Sequence, residues 1–151
     1  KDSLIISCSI LLIFGLMFTS ETKLRVRYAE TDQMGYVYYG NYATYFEVAR
    51  VEAMRSLGIS YKELEKIGVM MPVLHYATKY YKPALYDDEL TIKTIIKELP
   101  TARIHFDFEV YNAKGDKLND AEATLVFVNM ETKKPCQAPE RLLNQLKPFY
   151  A

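Results

Sequence analysis

The sequence predicts an α+β domain in which a curved antiparallel sheet of five strands wraps one long helix. Three observations carry this. One strand pattern precedes a long segment of helical period. The apolar period changes to two after Gly68. Four further strand patterns then follow, separated by turn signals and proline. The length of 151 residues agrees with one domain, which needs no disulfide or structural metal to hold a core.

Residues 1–20 stand apart as an apolar N-terminal extension, ahead of a single domain spanning 21–151. Leu4 to Phe18 is an uncharged run of 15 residues. It is shorter than the roughly 20 residues a membrane helix needs. It has the length of a signal-peptide core, but Phe18, Thr19 and Ser20 make no small-residue cleavage site. Three readings stay open: residues ahead of a true start at Met17, a signal or membrane anchor, or an arm that packs on a neighbouring subunit.

The domain begins with a short strand, in which Leu24, Val26 and Tyr28 alternate with Arg25 and Arg27. A loop, ETDQMGYVYYG, runs from Glu30 to Gly40. A helix is expected from about Asn41 to Leu57. Its stripe is Tyr42, Tyr45, Phe46, Ala49, Ala53 and Leu57, with Asn41 as N-cap and Gly58 as stop. Ala49 and Ala53 let this helix approach a sheet closely. Ser60 and Glu63 form a capping box for a short second helix ending near Lys66.

Val69 to Tyr81 reads as a long strand stopped by Pro83, and Leu90 to Leu99 as another stopped by Pro100. Ile104, Phe106, Phe108 and Val110 alternate with Arg103, His105, Asp107 and Glu109, a half-buried strand. Asn112 to Asp116 is a hairpin loop. Ala121 to Met130 is apolar at most positions and is expected to be central. Pro139 opens a short helix carrying Leu142, Leu143 and Leu146. One long helix does not cover all the apolar strand positions, so a second subunit is expected over the rest.

Nineteen Lys and Arg balance nineteen Asp and Glu, which argues against a dedicated nucleic-acid binder. Cys8 and Cys136 make neither a disulfide framework nor a CxxC pair, which points to a reducing, cytoplasmic setting. The 13 tyrosines, with no tryptophan, are expected to line a cleft or an interface. No nucleophile elbow, phosphate loop or dinucleotide fingerprint occurs. His75 and His105 lie thirty residues apart without a nearby cysteine, so no metal site is expected.

What remains is the Glu30–Gly40 loop. Asp32 stands just ahead of the long helix, near unpaired backbone N–H groups that can polarise a bound carbonyl. The carboxylate can then attack the carbonyl carbon or activate water. Gly35 lets the backbone turn tightly enough for acid and donors to face one volume. Asp32 also reads as an ordinary turn residue. Glu30 and Glu47 are alternative acids, although Glu47 lies three residues before Arg50 and a surface ion pair explains it.

RVRYAETDQMGYVYYGNYATYFEVAR, Arg25 to Arg50, resembles the hot-dog-fold acyl-CoA thioesterases. It is similar to the 4-hydroxybenzoyl-CoA thioesterase group and the Tol–Pal-associated thioesterases. The likeness continues through YYKPALYDDELTIKT (Tyr80 to Thr94) and NDAEATLVFVN (Asn119 to Asn129). It implies the hot-dog fold and a homodimer or homotetramer with sites at the dimer interface. It implies hydrolysis of an acyl-CoA or acyl carrier protein thioester, with no metal or redox cofactor. By the same likeness Asp32 is the catalytic carboxylate and the Tyr39 backbone N–H polarises the carbonyl. Gly35, Tyr36, Val37, Tyr38 and Asn41 line the thioester end. Tyr39 replaces a histidine frequent in the Tol–Pal-associated members, which leaves acyl preference open. Coenzyme A phosphates call for a local basic cluster, with Lys79, Lys82 and Arg103 as candidates and Lys133 and Lys134 as weaker ones. Rival readings are a non-catalytic acyl-thioester-binding module, a membrane-tethered partner protein of the same fold, and a hot-dog dehydratase. A dehydratase would usually bring a histidine close to the helix.

Overall fold

The stripe read on the long helix sets the architecture. In a computed structural model of the chain, which describes residues 17–150, every stripe residue from Tyr42 to Leu57 is buried. Strand β1 (Phe18–Arg25) is followed by helix α1 (Tyr42–Ser56), helix α2 (Tyr61–Lys66), and strands β2 (Val69–Met70) and β3 (Val73–Tyr80). Strands β4 (Glu89–Ile96), β5 (Arg103–Tyr111), β6 (Lys117–Val126) and β7 (Val128–Asn129) precede helix α3 (Glu140–Leu146). Five strands form one antiparallel sheet in the order β1-β4-β5-β6-β3, while β2 and β7 make a separate short pair. This is the α+β, hot-dog arrangement of sheet on helix.

Alternation along the strands gives the sheet one apolar face. Ile104, Phe106, Phe108 and Val110 face α1 together with Ile92, Ile96, Ala123 and Leu125, all buried. Phe46 of α1 stacks on Phe108 of β5 with ring centroids 4.7 Å apart. Ala49 and Ala53 are completely buried, as small residues must be where a helix sits close to a sheet. The Ser60–Glu63 capping box forms as read, the Glu63 N–H donating to Ser60 Oγ at 3.2 Å. Gly58 and Gly68 end the two helices with φ of +76° and +80°.

Several boundaries differ from the sequence reading. The first strand is not Leu24 to Tyr28 but begins at Phe18, inside the segment set apart as an extension. Phe18 is buried and meets Phe149 edge-on. Tyr28 instead opens a 3₁₀ turn, Tyr28–Glu30, and is 78% exposed. Residues 1–16 lie outside the described residues, and with them most of the apolar run and Cys8. The long strand Val69 to Tyr81 is split in two at Met71–Pro72. Proline has no N–H for a ladder, and the Pro72 carbonyl accepts from the Val126 N–H instead. Asn41 precedes α1 in helical conformation and does not cap it with its side chain. A 3₁₀ turn, Tyr39–Asn41, leads into the helix. The expected Ala121–Met130 strand is divided: β6 starts earlier, at Lys117, ends at Val126 and lies between β5 and β3 as an interior strand, while Val128–Asn129 is β7, paired with β2. Among the described residues no helix is long and apolar enough to cross a membrane.

Candidate active site

The loop between β1 and α1 folds back on itself as a tight turn. The Asp32 N–H donates to the Tyr36 carbonyl at 3.1 Å, and the Gly35 N–H to the Asp32 carbonyl at 3.0 Å. Gly35 has φ +82°, a left-handed conformation that a side chain would strain. Asp32 Oδ1 accepts the Met34 N–H at 2.8 Å, an Asx turn. Among the described residues nothing donates to the other carboxylate oxygen. Isolated bridges from Thr31 to Val37 and from Tyr36 to Leu85 hold the turn against the body of the domain.

The start of α1 lies beside this turn. Among the described residues, the N–H groups of Tyr39 and Gly40 donate to no protein acceptor, whereas the Tyr38 and Asn41 N–H groups are used. The two free donors therefore sit at the positive end of the helix, ready for an anion or a polarised oxygen. A Cβ on Gly40 would meet the Tyr38 ring at 2.7 Å, so glycine lets that ring lie across the helix start.

Asp32 and Tyr39 share the wall of a cleft of about 490 Å³. Six tyrosines line it: Tyr36, Tyr38, Tyr39, Tyr42, Tyr80 and Tyr81, with Met34, Val37, Lys82 and Pro83 completing the wall. The expectation that tyrosines line a cleft holds for this group. Tyr38 and Tyr39 lie with rings 4.7 Å apart. The neighbouring Tyr39 hydroxyl pushes the Tyr38 phenol up, and burial pushes Tyr42 up to about 12. Both stay neutral and hydrogen-bonding at physiological pH, so neither is a general base.

The other candidates from sequence fall in different places. Gly35 shapes the turn and Asn41 braces it, its Nδ2 donating to the Glu30 carbonyl at 2.8 Å; neither lines the cleft. Glu30 is buried and its carboxylate is occupied by Arg27 and Tyr45, so it does not face the cleft. Glu47 is exposed on α1, and the expected pair with Arg50 does not form. Arg50 Nε donates to the Tyr61 hydroxyl at 3.0 Å instead, because α2 packs beside it. Of the basic candidates only Lys82 reaches the cleft. Lys79 lies on the outer face of the sheet over the Tyr81 ring, and Arg103 is at the far end of β5. Lys133 and Lys134 form a surface turn. Tyr80 and Tyr81 are cleft residues beyond the sequence candidates. They reach the cleft only because β3 ends there, which no local pattern announces.

The outer face holds a trench of about 480 Å³ walled by paired charges, Lys97 with Asp107 and Lys117 with Asp120 among them. The fold also brings the two histidines together, since His75 and His105 both lie opposite Thr124. Their Nε2 atoms approach Glu122 at 3.1 and 3.7 Å, and His105 approaches Asp107 at 3.6 Å. Sequence spacing missed this because the cross-strand register, not the chain, sets the distance. Lys97 Nζ also holds Asp107, at 3.1 Å.

A five-stranded antiparallel sheet on one long helix is the arrangement of the hot-dog thioesterases. The sequence profile of the thioesterase-like superfamily matches residues 26–146, and the chain belongs to that family. YneP of Bacillus subtilis (strain 168), provisionally named an acyl-CoA thioesterase, is 36% identical over 121 residues, 80% of this chain and 88% of its own. The acyl-CoA thioester hydrolase YbgC of Escherichia coli O6:H1 is 33% identical over 124 residues, 82% of this chain and 92% of its own. Among solved structures, a DHNA-CoA thioesterase from Staphylococcus aureus matches with a TM-score of 0.79 at 35% identity. The match covers 87% of this chain and 88% of that one.

Proposed function

We propose that the chain hydrolyses an acyl-CoA thioester to the free acid and coenzyme A. One observation carries the reading. Among the described residues, one carboxylate oxygen of Asp32 has no partner, and Asp32 shares a cleft wall with a helix start whose Tyr39 and Gly40 N–H groups are unused. A thioester carbonyl oxygen seated on those donors gains stabilisation as it becomes an oxyanion. Asp32 then attacks the carbonyl carbon or takes a proton from the attacking water, and the C–S bond breaks to release the thiol. Water supplies the oxygen of the acid and the proton of the thiol. Lys82, which lines the cleft and pairs with Asp116 at 3.4 Å, is the candidate for a phosphate of the leaving coenzyme. The chemistry draws on no metal or redox cofactor, and two cysteines without a disulfide framework fit a cytoplasmic setting.

The names of the relatives support acyl-CoA as the donor. The test is free-thiol release across short, long and aromatic acyl-CoAs, with the matching acyl carrier protein thioesters beside them. Turnover of at least one acyl-CoA is expected. Tight binding of acyl-CoA without release of thiol would make the protein an acyl-binding module instead.

The reading includes assembly with a second copy. Among the described residues the edge strand β3 pairs only with β6, and it carries exposed Val73, Leu74, Tyr76 and Tyr80. A long apolar edge of this kind is a template for another strand. Tyr80 and the adjoining Tyr81 also line the cleft, so a partner on this edge would stand beside the site. Light scattering at micromolar concentration is expected to give at least twice the 17.5 kDa chain mass. A fully active 17.5 kDa species would overturn both the assembly and the shared site.

A further inference from the structure

We infer that Glu30 is a positioning residue, which fixes the Asp32 turn against the free N–H groups at the start of α1. The inference rests on the thioesterase reading above. Glu30 is the one buried carboxylate among the described residues, 8% exposed, and the cleft does not use it. Its side chain meets α1 one turn inside the helix, where the Tyr45 hydroxyl donates to Oε2 at 2.6 Å. Its backbone carbonyl meets the start of the same helix. There the Tyr38 N–H donates at 2.9 Å and Asn41 Nδ2 at 2.8 Å. Arg27 closes the assembly from the other side. Its backbone N–H donates to Oε2 at 2.9 Å, and its guanidinium reaches Oε1 through Nε at 2.8 Å and through a terminal nitrogen at 2.7 Å.

The consequence is geometric. Asp32 is two residues from Glu30, and Tyr39 and Gly40 lie between Tyr38 and Asn41, which Glu30 holds. One residue therefore ties acid and donors to a common frame, through its side chain and its carbonyl at once. Burial pushes the Glu30 carboxyl up. The Tyr45 hydroxyl and the Arg27 donors outweigh that and hold it below the usual carboxylate range. The group stays an acceptor of every donor aimed at it. The Arg27 guanidinium also offsets a negative charge that would otherwise oppose an oxyanion at the same helix end. Misplacement on the order of 1 Å in such a frame costs about 10²-fold in rate.

Glu30→Gln keeps the size of the side chain and leaves the backbone carbonyl contacts in place. Whichever way it turns, it puts an amide N–H₂ against an Arg27 donor, the guanidinium at the Oε1 position or the backbone N–H at the Oε2 position, where only an acceptor fits. The variant is expected to lose kcat by about 10–10²-fold with KM within about threefold. The acid limb of the pH profile is expected to keep its position. Amide exchange in the 31–41 segment is expected to quicken. Tyr45→Phe, which deletes one donor and leaves Arg27 in place, is expected to show the same pattern at smaller size. Rates are taken per folded protein, below the melting transition of each variant.

Three outcomes overturn the inference. One is a fall in melting temperature with kcat per folded protein unchanged, which makes the network structural alone. Another is rate loss with the acid limb removed, which makes Glu30 the acid itself. The third is unchanged exchange in 31–41. A wild-type protein that releases no thiol from any acyl donor sinks the thioesterase reading. Active wild type with an unimpaired Glu30→Gln sinks only the positioning role.

Discussion

Asp32→Asn is expected to lower kcat by at least ~10²-fold, the scale of a lost general base, and further if Asp32 is a nucleophile. Asparagine is nearly the same size, and its Oδ1 can still accept the Met34 N–H that closes the turn. Gly35 keeps its left-handed conformation and the cleft keeps its tyrosines. A residue that only closes the turn would thus be replaced with little loss, since Asn serves turns as well as Asp. What Asn lacks is charge and basicity at the second carboxylate oxygen. KM is expected to change little, because on the proposed reading binding rests on the cleft and on Lys82. Glu47→Gln is the paired control. Glu47 is exposed on α1 and lines no part of the cleft, so most activity should remain. Near-normal turnover in Asp32→Asn with loss in Glu47→Gln would move the carboxylate onto the helix.

How much of this was legible follows from the range of each interaction. The α1 stripe, the Ser60–Glu63 box and the alternation of β5 are written in neighbouring residues, and the structure follows them. Asp32 with Gly35 ahead of a helix is local too, and so could be singled out. Phe18 was hidden because it ends an apolar run, where β1 has no polar alternation to mark its start. Pro72 breaks an otherwise continuous pattern, and its effect depends on which strand borders it. The Glu30–Tyr45 bond joins residues 15 apart across a turn whose path is set by the sheet. Nothing in their spacing announces it. Lys79 and Lys82 look equivalent in the chain, yet the end of β3 sends one to the outer face and the other to the cleft. Local chemistry was readable; convergence from separate strands was not.

The second large effect is on stability, and it tests whether α1 is the keystone of the sheet. Phe46 is 1% exposed. It stacks on Phe108 at 4.7 Å, with Tyr76 and Tyr42 at 6.2 and 6.3 Å. Phe46→Ala removes the ring that couples helix to sheet and leaves a cavity between two rigid layers, where little can collapse to fill it. The expected loss is about 3–5 kcal/mol. That is a large part of the 5–15 kcal/mol that holds a typical domain of roughly this size. Val48 lies two residues on, 42% exposed, and Val48→Ala removes apolar volume from the opposite side of the same helix. It is expected to cost no more than about 0.5 kcal/mol. Urea unfolding of both variants and wild type, at one protomer concentration so that assembly contributes equally, separates the two. Equal midpoints for Phe46→Ala and Val48→Ala would mean that the helix is held by its length and not by this contact. A large gap would place the energetic centre of the fold about two turns from the N–H groups proposed to hold the thioester carbonyl. The start of α1 would then be rigid for the same reason that the fold is stable.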